Sequence, residues 1–319
     1  MRPRGLRYSS GVPEQAVATP KVKPLAAPVG PLASFIAGLA VWLVRSLSVR
    51  GRRAVATWVG HLAFGLRIRR QVAFDNLRHA FPELPEAERR RIARGAYVNM
   101  ALAALEALAS TGLPDAALDE ALTVENWPAV EKAIRAGNGV LVASAHFGSW
   151  ELFAEVMARR GVKLNAVVRP LEGALNARIV EARQKAGVQL ILQRGALKGM
   201  VTALRRGEVV AQLMDQALPS RSAVFVPFFG RPASTTPALS TAALRTGAPT
   251  FVMLAAREGD RLRVFSEGPI VMADTGDHRR DVLDHTARVT QVIESYIRRY
   301  PEQWLWLHRR WKVQPPPTD

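Results

Sequence analysis

The chain of 319 residues contains no cysteine. Disulfide bonds, thiolate zinc sites and a cysteine nucleophile all need a thiol, so the sequence excludes them. A secreted protein of this size can be stable without disulfides, and the absence therefore only favours a reducing compartment. The sequence also has no GxSxG motif. A serine nucleophile on the sharp turn that this motif forms is not expected either.

Acidic residues are scarce relative to basic ones. Asp and Glu number 27 against 44 Lys and Arg, which gives a formal net charge of +17 and a pI of about 11.2. Residues 1–95 alone carry 17 basic side chains against 5 acidic ones. Nucleic acid, an anionic membrane surface or an acidic protein could each be the partner of such a chain. An arginine-rich genomic composition would explain part of the excess.

No apolar run reaches the roughly 20 residues that a transmembrane helix needs. Residues 32–44 are almost wholly apolar, and a second apolar stretch covers 54–66, with Arg50, Arg52 and Arg53 between them. Basic residues beside apolar segments favour an anionic lipid surface, whereas aromatic platforms or a recognition helix for nucleic acid are not found. We expect a membrane-associated helical segment over 31–70 and no nucleic acid. A buried helical hairpin is the alternative.

The rest of the chain is organised as one large domain. Five prolines within residues 1–30 indicate a disordered extension, and we expect the chemistry in a domain covering 71–319. Strand patterns at 139–144, 164–168, 188–192, 208–214, 250–255 and 262–265 alternate with helical patterns. Pro85, followed by Glu86 and Glu88, predicts the start of one helix, and a polar connection is expected before the strand at 139–144. This alternation predicts an α/β fold with a mostly parallel, mixed central sheet flanked by helices.

The strongest chemical signal follows the first of these strands. His146 comes directly after a continuous apolar run, where a strand reaches the carboxyl edge of its sheet, and Glu151 lies five residues further on. A carboxylate beside a histidine fixes its tautomer and stabilises the imidazolium that forms when the histidine takes a proton. By itself this spacing also arises by chance, as a capped helix with a surface ion pair. A metal site is not expected because no second histidine lies beside His146.

The segment 146–151, His-Phe-Gly-Ser-Trp-Glu, resembles the His-x4-Asp/Glu signature of lysophospholipid acyltransferases. It looks most like the branch with the lipid A lauroyl and myristoyl acyltransferases, whose form is often His-x-Gly-Asn-Trp-Glu. The similarity extends over roughly residues 30 to 313, through blocks at 76–83, 168–171, 207–216, 225–233, 243–249 and 300–312. No single block is decisive, but together and in this order they are a strong signal. Ser149 departs from the frequent asparagine, but both side chains can cap a helix, so the departure need not affect catalysis.

The resemblance implies a glycerolipid acyltransferase-like fold and a role for each residue of the motif. His146 would be the general base and Glu151 its orienting carboxylate. The residues expected to bind substrate are Arg169, Asp215, Gln216 and Arg231. An arginine suits a phosphate or an oxyanion. Alternatively, Arg169 is the partner of a buried acid and Asp215 a helix cap.

The implied reaction moves a fatty acyl chain from an acyl carrier protein or coenzyme A thioester to a hydroxyl of a lipid A-type glycolipid, without a cofactor. The resemblance also implies that the protein is located at a bacterial inner membrane, with its active site on the cytoplasmic side. Alternatives are another acceptor, such as a phosphatidylinositol mannoside or a lysophospholipid, a hydrolase of the thioester, or a non-catalytic lipid- or nucleic-acid-binding protein. Near the C-terminus, Trp304, Trp306 and Trp311 alternate with basic residues. They indicate a membrane interface, a docking patch for an anionic partner, or a core helix that packs on the sheet.

Overall fold

The computed structural model describes residues 30–110, 122–169 and 174–316. The extension expected over residues 1–30 therefore lies, apart from Gly30, outside the described residues. The helices of the described part are α1 (Pro31–Ser46), α2 (Val49–Gly65), α3 (Arg70–Ala80), α4 (Glu86–Ala109), α5 (Trp127–Arg135), α6 (Trp150–Arg159), α7 (Ala174–Lys185), α8 (Ala196–Arg205), α9 (Ala238–Thr246) and α10 (His278–Arg299). Its strands are β1 (Leu122–Val124), β2 (Val140–Ser144), β3 (Leu164–Val168), β4 (Gln189–Leu192), β5 (Val209–Leu213), β6 (Val224–Phe228), β7 (Arg231–Thr235), β8 (Thr250–Glu258) and β9 (Arg261–Ile270).

Helices α1 and α2 leave most of their large apolar side chains exposed. Phe35 and Trp42 on α1 are 69% and 62% exposed, and Trp58 on α2 is 67% exposed. The buried face of α2 carries Arg52, Ala56, Gly60 and Phe64. A Cβ on Gly60 would lie 2.7 Å from the backbone of Val98 on α4. The helical-hairpin alternative requires these apolar faces to be buried, but within the described residues they are exposed. Among the described helices, none combines the length and the apolar content needed to cross a bilayer.

Helix α4 confirms the helix start predicted from sequence. Its N-cap is Pro85, and Glu86 and Glu88 stand in its first turn, where the positive end of the helix dipole favours acidic side chains. Helix α3 ends just before Phe81 and Pro82. The proline cannot continue a helix because it has no backbone N–H to donate.

Seven strands form one mixed sheet in the order β1-β9-β8-β2-β5-β3-β4. Strands β8, β2, β5, β3 and β4 run parallel, whereas β9 is antiparallel to β8 and β1 is parallel to β9. The predicted α/β class with a mostly parallel, mixed sheet is confirmed. Sequence analysis missed β1 and α5, which occupy a stretch that we expected to be a polar connection. A three-residue strand is too short to show periodicity.

A separate antiparallel hairpin of β6 and β7 was also missed. Its turn residues Phe229 and Gly230 both have positive φ angles, of 50° and 75°. Two residues with positive φ match the twist of a tight hairpin, and glycine reaches this conformation without steric cost. A phenylalanine is unusual there, which explains why the turn signal was weak.

Alternate residues of the central strands face two different cores. Leu141 and Ala143 of β2 belong to a large core with α8, α9, α10 and the C-terminal tryptophans, whereas Val140 and Val142 face a second core with α5 and α6. A strand buried on both faces has a continuous apolar sequence, as β2 does. Because β2, β5 and β3 are parallel neighbours, the residues that follow them meet at one edge of the sheet.

Candidate active site

The loop between β2 and α6 passes very close to strand β8. Gly148 has a φ of 55°, and a Cβ at this position would lie 1.8 Å from the carbonyl oxygen of Ala255. Only glycine fits there. Ser149 is the N-cap of α6, but its hydroxyl does not cap the helix and instead donates to Glu106 Oε2 at 2.6 Å. Ser149 can cap a helix by its residue type, but its side chain has a different partner here.

His146 is held by Asp215, which follows β5. The two contacts are 2.9 Å each, from His146 Nδ1 to Asp215 Oδ1 and from the backbone N–H of His146 to Asp215 Oδ2. Trp304 Nε1 also donates to Oδ2 at 2.9 Å. An ionised carboxylate only accepts hydrogen bonds, so Nδ1 carries a proton, and in the neutral ring Nε2 keeps its lone pair. The side-chain amide nitrogen of Gln216 lies 3.3 Å from Nε2.

The electrostatic environment favours a charged pair. Burial lowers the pKa of His146, but the charge and hydrogen bond of Asp215 and the charge of Glu151 outweigh it, and the net pKa is raised above its usual 6.5. Burial likewise opposes ionisation of Asp215, yet His146 and Trp304 hold its pKa down at about 2. His146 is thus a base that accepts a proton readily, beside a carboxylate that stays ionised.

Glu151 has a different partner from the one predicted. It accepts hydrogen bonds from the Arg183 guanidinium on α7 and, at 2.9 Å, from Trp150 Nε1. The carboxylate on Nδ1 of His146 is Asp215, so the prediction that Glu151 orients the imidazole by a hydrogen bond was wrong. A strand-end residue reaches Nδ1, whereas the first turn of α6 directs Glu151 towards α7. Glu151 acts on His146 through its charge.

The predicted substrate-binding residues are divided by the fold. Asp215 has only 2% of its side chain exposed, and its oxygens accept hydrogen bonds from His146 and Trp304. Gln216 does reach Nε2 of His146. Arg169 is exposed at the end of β3, on the same edge of the sheet. Arg231 is exposed on the β6–β7 hairpin, and its charge acts on His79.

An apolar cavity begins beside Glu151 and lies between the sheet and helices α5 and α6. Its floor consists of residues of three parallel strands that face the same side, from Leu213 to Val209 on β5 and correspondingly on β2 and β3. Four residue steps along a strand span about 13 Å. Residues lining the floor and walls include Val142, Ser144, Leu164, Ala166, Val168, Val209, Ala211, Leu213, Trp127, Phe153 and Met157.

Sequence analysis missed Arg183 as a site residue. It lies on α7, where the pattern indicated only a helix, and it has 25% of its side chain exposed while pairing with Glu151. Burial opposes its positive charge, but Glu151 outweighs this effect and the net pKa of Arg183 is raised. A basic residue near the end of a helix is common for dipole reasons alone, so no local signal distinguishes it.

The C-terminal tryptophans are internal rather than at a membrane interface. Trp304 and Trp306 are fully buried, and Trp306 Nε1 donates to the Pro301 carbonyl at 2.7 Å. The interface alternative is therefore wrong for these two. They lie in an irregular segment that follows the 3₁₀ turn Pro301–Gln303 after α10, and not in a core helix.

One group among the described residues has the spacing of a metal site, namely Asp274, His278 and Asp281 around the start of α10. Asp281 accepts hydrogen bonds there from the backbone and hydroxyl of Thr275, at 2.9 and 2.8 Å. The carboxylate therefore has a structural role at the beginning of the helix.

Residues 24–313 match the sequence model of the family of bacterial lipid A biosynthesis acyltransferases. Three relatives with described activities are similar to the chain. A lipid A biosynthesis lauroyltransferase of Escherichia coli K12 is 28% identical over 86% of this chain and 90% of that protein. A lipid A biosynthesis palmitoleoyltransferase of the same strain is 27% identical over 78% and 81%. A phosphatidylinositol mannoside acyltransferase of Mycolicibacterium smegmatis is 26% identical over 61% and 64%.

Proposed function

Because the chain belongs to the bacterial lipid A biosynthesis acyltransferase family and is an acyltransferase, we propose that it transfers a fatty acyl chain from a thioester donor to a hydroxyl of a lipid A-type glycolipid. The observation that carries the proposal is the lone pair of His146 Nε2, with Asp215 on the opposite nitrogen. The ring of His146 contacts Trp150, and Trp150 and Glu151 line the apolar cavity. The similarity to lipid A acyltransferases supports the choice of acceptor.

His146 is the general base in this mechanism. An acceptor hydroxyl displaces the Gln216 amide from Nε2 and gives its proton to the imidazole while its oxygen attacks the thioester carbonyl. The tetrahedral intermediate then collapses with cleavage of the C–S bond. The thiolate that leaves takes the proton back from the imidazolium, so the base is regenerated. Asp215 stabilises the imidazolium in between and keeps Nδ1 protonated.

The apolar cavity is the proposed place for the acyl chain. It starts at the edge of the sheet where His146 and Glu151 lie, and its lining is almost wholly apolar below the Glu151–Arg183 pair. Burying each methylene of a chain contributes about 0.8 kcal/mol, so a cavity along three strands can hold the donor firmly. Arg183 would lie close to the thioester, where a guanidinium favours the developing negative charge on the carbonyl oxygen.

We propose an acyl carrier protein or coenzyme A as the donor, without a cofactor. Both carriers are anionic, and the net charge of +17 steers such partners towards the enzyme. Arg169, exposed at the carboxyl edge of the sheet, can bind a phosphate of the donor or the acceptor. Arg231 lies on the separate β6–β7 hairpin. We therefore propose that it binds substrate only where the ligand extends from His146 to this hairpin.

We further propose that the protein works on the cytoplasmic side of the bacterial inner membrane. The exposed apolar side chains of α1, α2 and the turn after α2 are the proposed membrane-facing surface, which comprises Leu32, Phe35, Ile36, Leu39, Trp42, Leu43, Trp58, Val59, Leu62, Leu66 and Ile68. Arg67 and Arg69 lie in the turn after α2, next to the last two of these residues. Apolar side chains with flanking arginines bind an anionic leaflet at its interface.

Mass spectrometry of host lipids tests the function. Cells lacking the protein should lose one secondary acyl chain from their glycolipid, and the wild-type chain should restore it while His146→Gln should not. An unchanged lipid A fraction with a lost acyl chain on a mannoside would move the acceptor to the second candidate, which the mannoside acyltransferase relative favours. Restoration by His146→Gln would refute the mechanism.

A further inference from the structure

The segment after α10 contacts the loops that carry the active-site residues. The Gly148 N–H donates to the Gln303 carbonyl at 2.8 Å, and the Leu305 N–H donates to the His146 carbonyl at 3.2 Å. Trp304 adds its bond to Asp215. Residues 303–308 thus contact both loops that carry the proposed catalytic groups, and we refer to them as the C-terminal clamp.

His308 ends the C-terminal clamp with an unusual contact. Its Nε2 accepts a hydrogen bond at 3.1 Å from the backbone N–H of Ala217, two residues after Asp215. Nε2 can accept only while it is unprotonated, so the neutral ring carries its proton on Nδ1. Burial lowers the pKa of His308 to about 4, although the charge of Asp215 opposes this. The ring therefore stays neutral at physiological pH, and the bond to Ala217 persists.

Asn76 fixes the other side of His308. Its buried side-chain amide donates to the carbonyl oxygens of Trp306 and His308, both at 2.7 Å. Asn76 lies on α3, more than 200 residues earlier in the chain. The amide of Asn76 thus donates both of its protons to carbonyls of the same segment. These two hydrogen bonds determine the position of the His308 backbone.

We propose that His308, held by Asn76, is a positioning residue that sets the turn 215–217 so that Asp215 faces Nδ1 and Gln216 faces Nε2 of His146. The inference rests on the proposed function, because it treats the His146–Asp215 pair as the working base. A displacement of about 1 Å at such a site can lower a rate by a factor of about 100.

Two amide substitutions at His308 provide a matched test. In His308→Gln the side-chain oxygen reaches the place of Nε2 and can accept from Ala217, whereas in His308→Asn the amide stops near the place of Nδ1. We expect the glutamine variant to keep kcat within about threefold of wild type and the asparagine variant to lose about 10- to 100-fold, with KM changed little in both. His278→Gln, at an exposed histidine of α10, is the control for histidine loss.

NMR titration of the His146 imidazole gives a readout that does not depend on turnover, with its signal assigned by comparison with His146→Gln. The charged or titratable groups acting on His146 include Asp215, Glu151, Arg183 and His308. We expect the raised pKa to persist in His308→Gln and to fall in His308→Asn. Equal kcat and equal His146 titration in the two folded variants would overturn the inference. If wild type transfers no acyl group to any lipid while the titrations still differ, the proposed function fails and the positioning role stands.

Discussion

Replacing Asp215 with asparagine is expected to reverse the tautomer of His146. The carboxylate accepts three hydrogen bonds: Oδ2 accepts from the His146 backbone and from Trp304, and Oδ1 accepts from Nδ1. An asparagine keeps one oxygen. With that oxygen in the place of Oδ2, the amide NH₂ points at Nδ1 and needs it as an acceptor. The ring proton then moves to Nε2, and the base has no lone pair for the acceptor hydroxyl.

The size of the effect depends on which way the amide turns. The opposite orientation would set the NH₂ against two N–H donors and leave both without an acceptor. Each unmade buried bond costs about 1 to 3 kcal/mol, whereas only the Nδ1 bond is regained. The orientation with the wrong tautomer is therefore favoured. In a serine protease the same change of a histidine-orienting aspartate lowers kcat about 10⁴-fold, and we expect a loss of about 10³- to 10⁴-fold here. Such a loss corresponds to about 4 to 5.5 kcal/mol in the barrier.

Acyl transfer from a labelled thioester to purified glycolipid measures the rate, and ¹⁵N NMR of the imidazole reports the tautomer. Glu151→Gln is the informative comparison, because the family resemblance made Glu151 the orienting residue. It should leave the Nδ1–H tautomer unchanged and destabilise the fold by about 2 to 3 kcal/mol, since Arg183 loses its carboxylate in a largely buried place. An Asp215→Asn variant with a rate within tenfold of wild type, or with Nδ1 still protonated, would refute the reasoning.

The remaining predictions concern the acyl chain, pH and the membrane. Ala211→Phe narrows the apolar cavity and should shorten the acyl chain that mass spectrometry finds on the product; an unchanged chain length would place the acyl group elsewhere. Because His146 works as the neutral base and its pKa is raised, kcat/KM should fall as pH drops through a midpoint above 6.5, and a midpoint below that value would contradict the assigned ion pair. Trp58→Glu should weaken sedimentation with vesicles containing anionic phospholipid about 10- to 100-fold, whereas Leu283→Glu on α10 should not; equal loss in both would argue against the membrane-facing surface.

Regular periodicity and ordered motifs were sufficient to predict much of this protein. The continuous apolar run before His146 identified β2, and the acids after Pro85 identified the start of α4. The alternation of strands and helices predicted the class of the sheet. Elements without such signals were missed, as were β1, α5 and the hairpin whose turn contains Phe229.

The family resemblance named the residues of the site better than it named their contacts. His146, Glu151, Asp215 and Gln216 all lie at the same edge of the sheet or at the start of the helix beside it. The hydrogen-bond partners of these residues were not predicted correctly. Glu151 is near His146 in sequence, yet Arg183 takes its oxygens, and Asp215 reaches Nδ1 from 69 residues away.

Local sequence determined what each segment could become, because hydrophobic period, proline and charge act over a few residues. It determined the strand before His146, the helix after it and the apolar character of α1 and α2. The exposure of their apolar side chains was decided by the tertiary structure. Only the tertiary structure decided which carboxylate meets which base, because hydrogen bonds of about 2.9 Å depend on how strands β2 and β5 are aligned. The contacts of Asn76, Trp304 and His308 depend in the same way on a segment that folds back from the end of the chain.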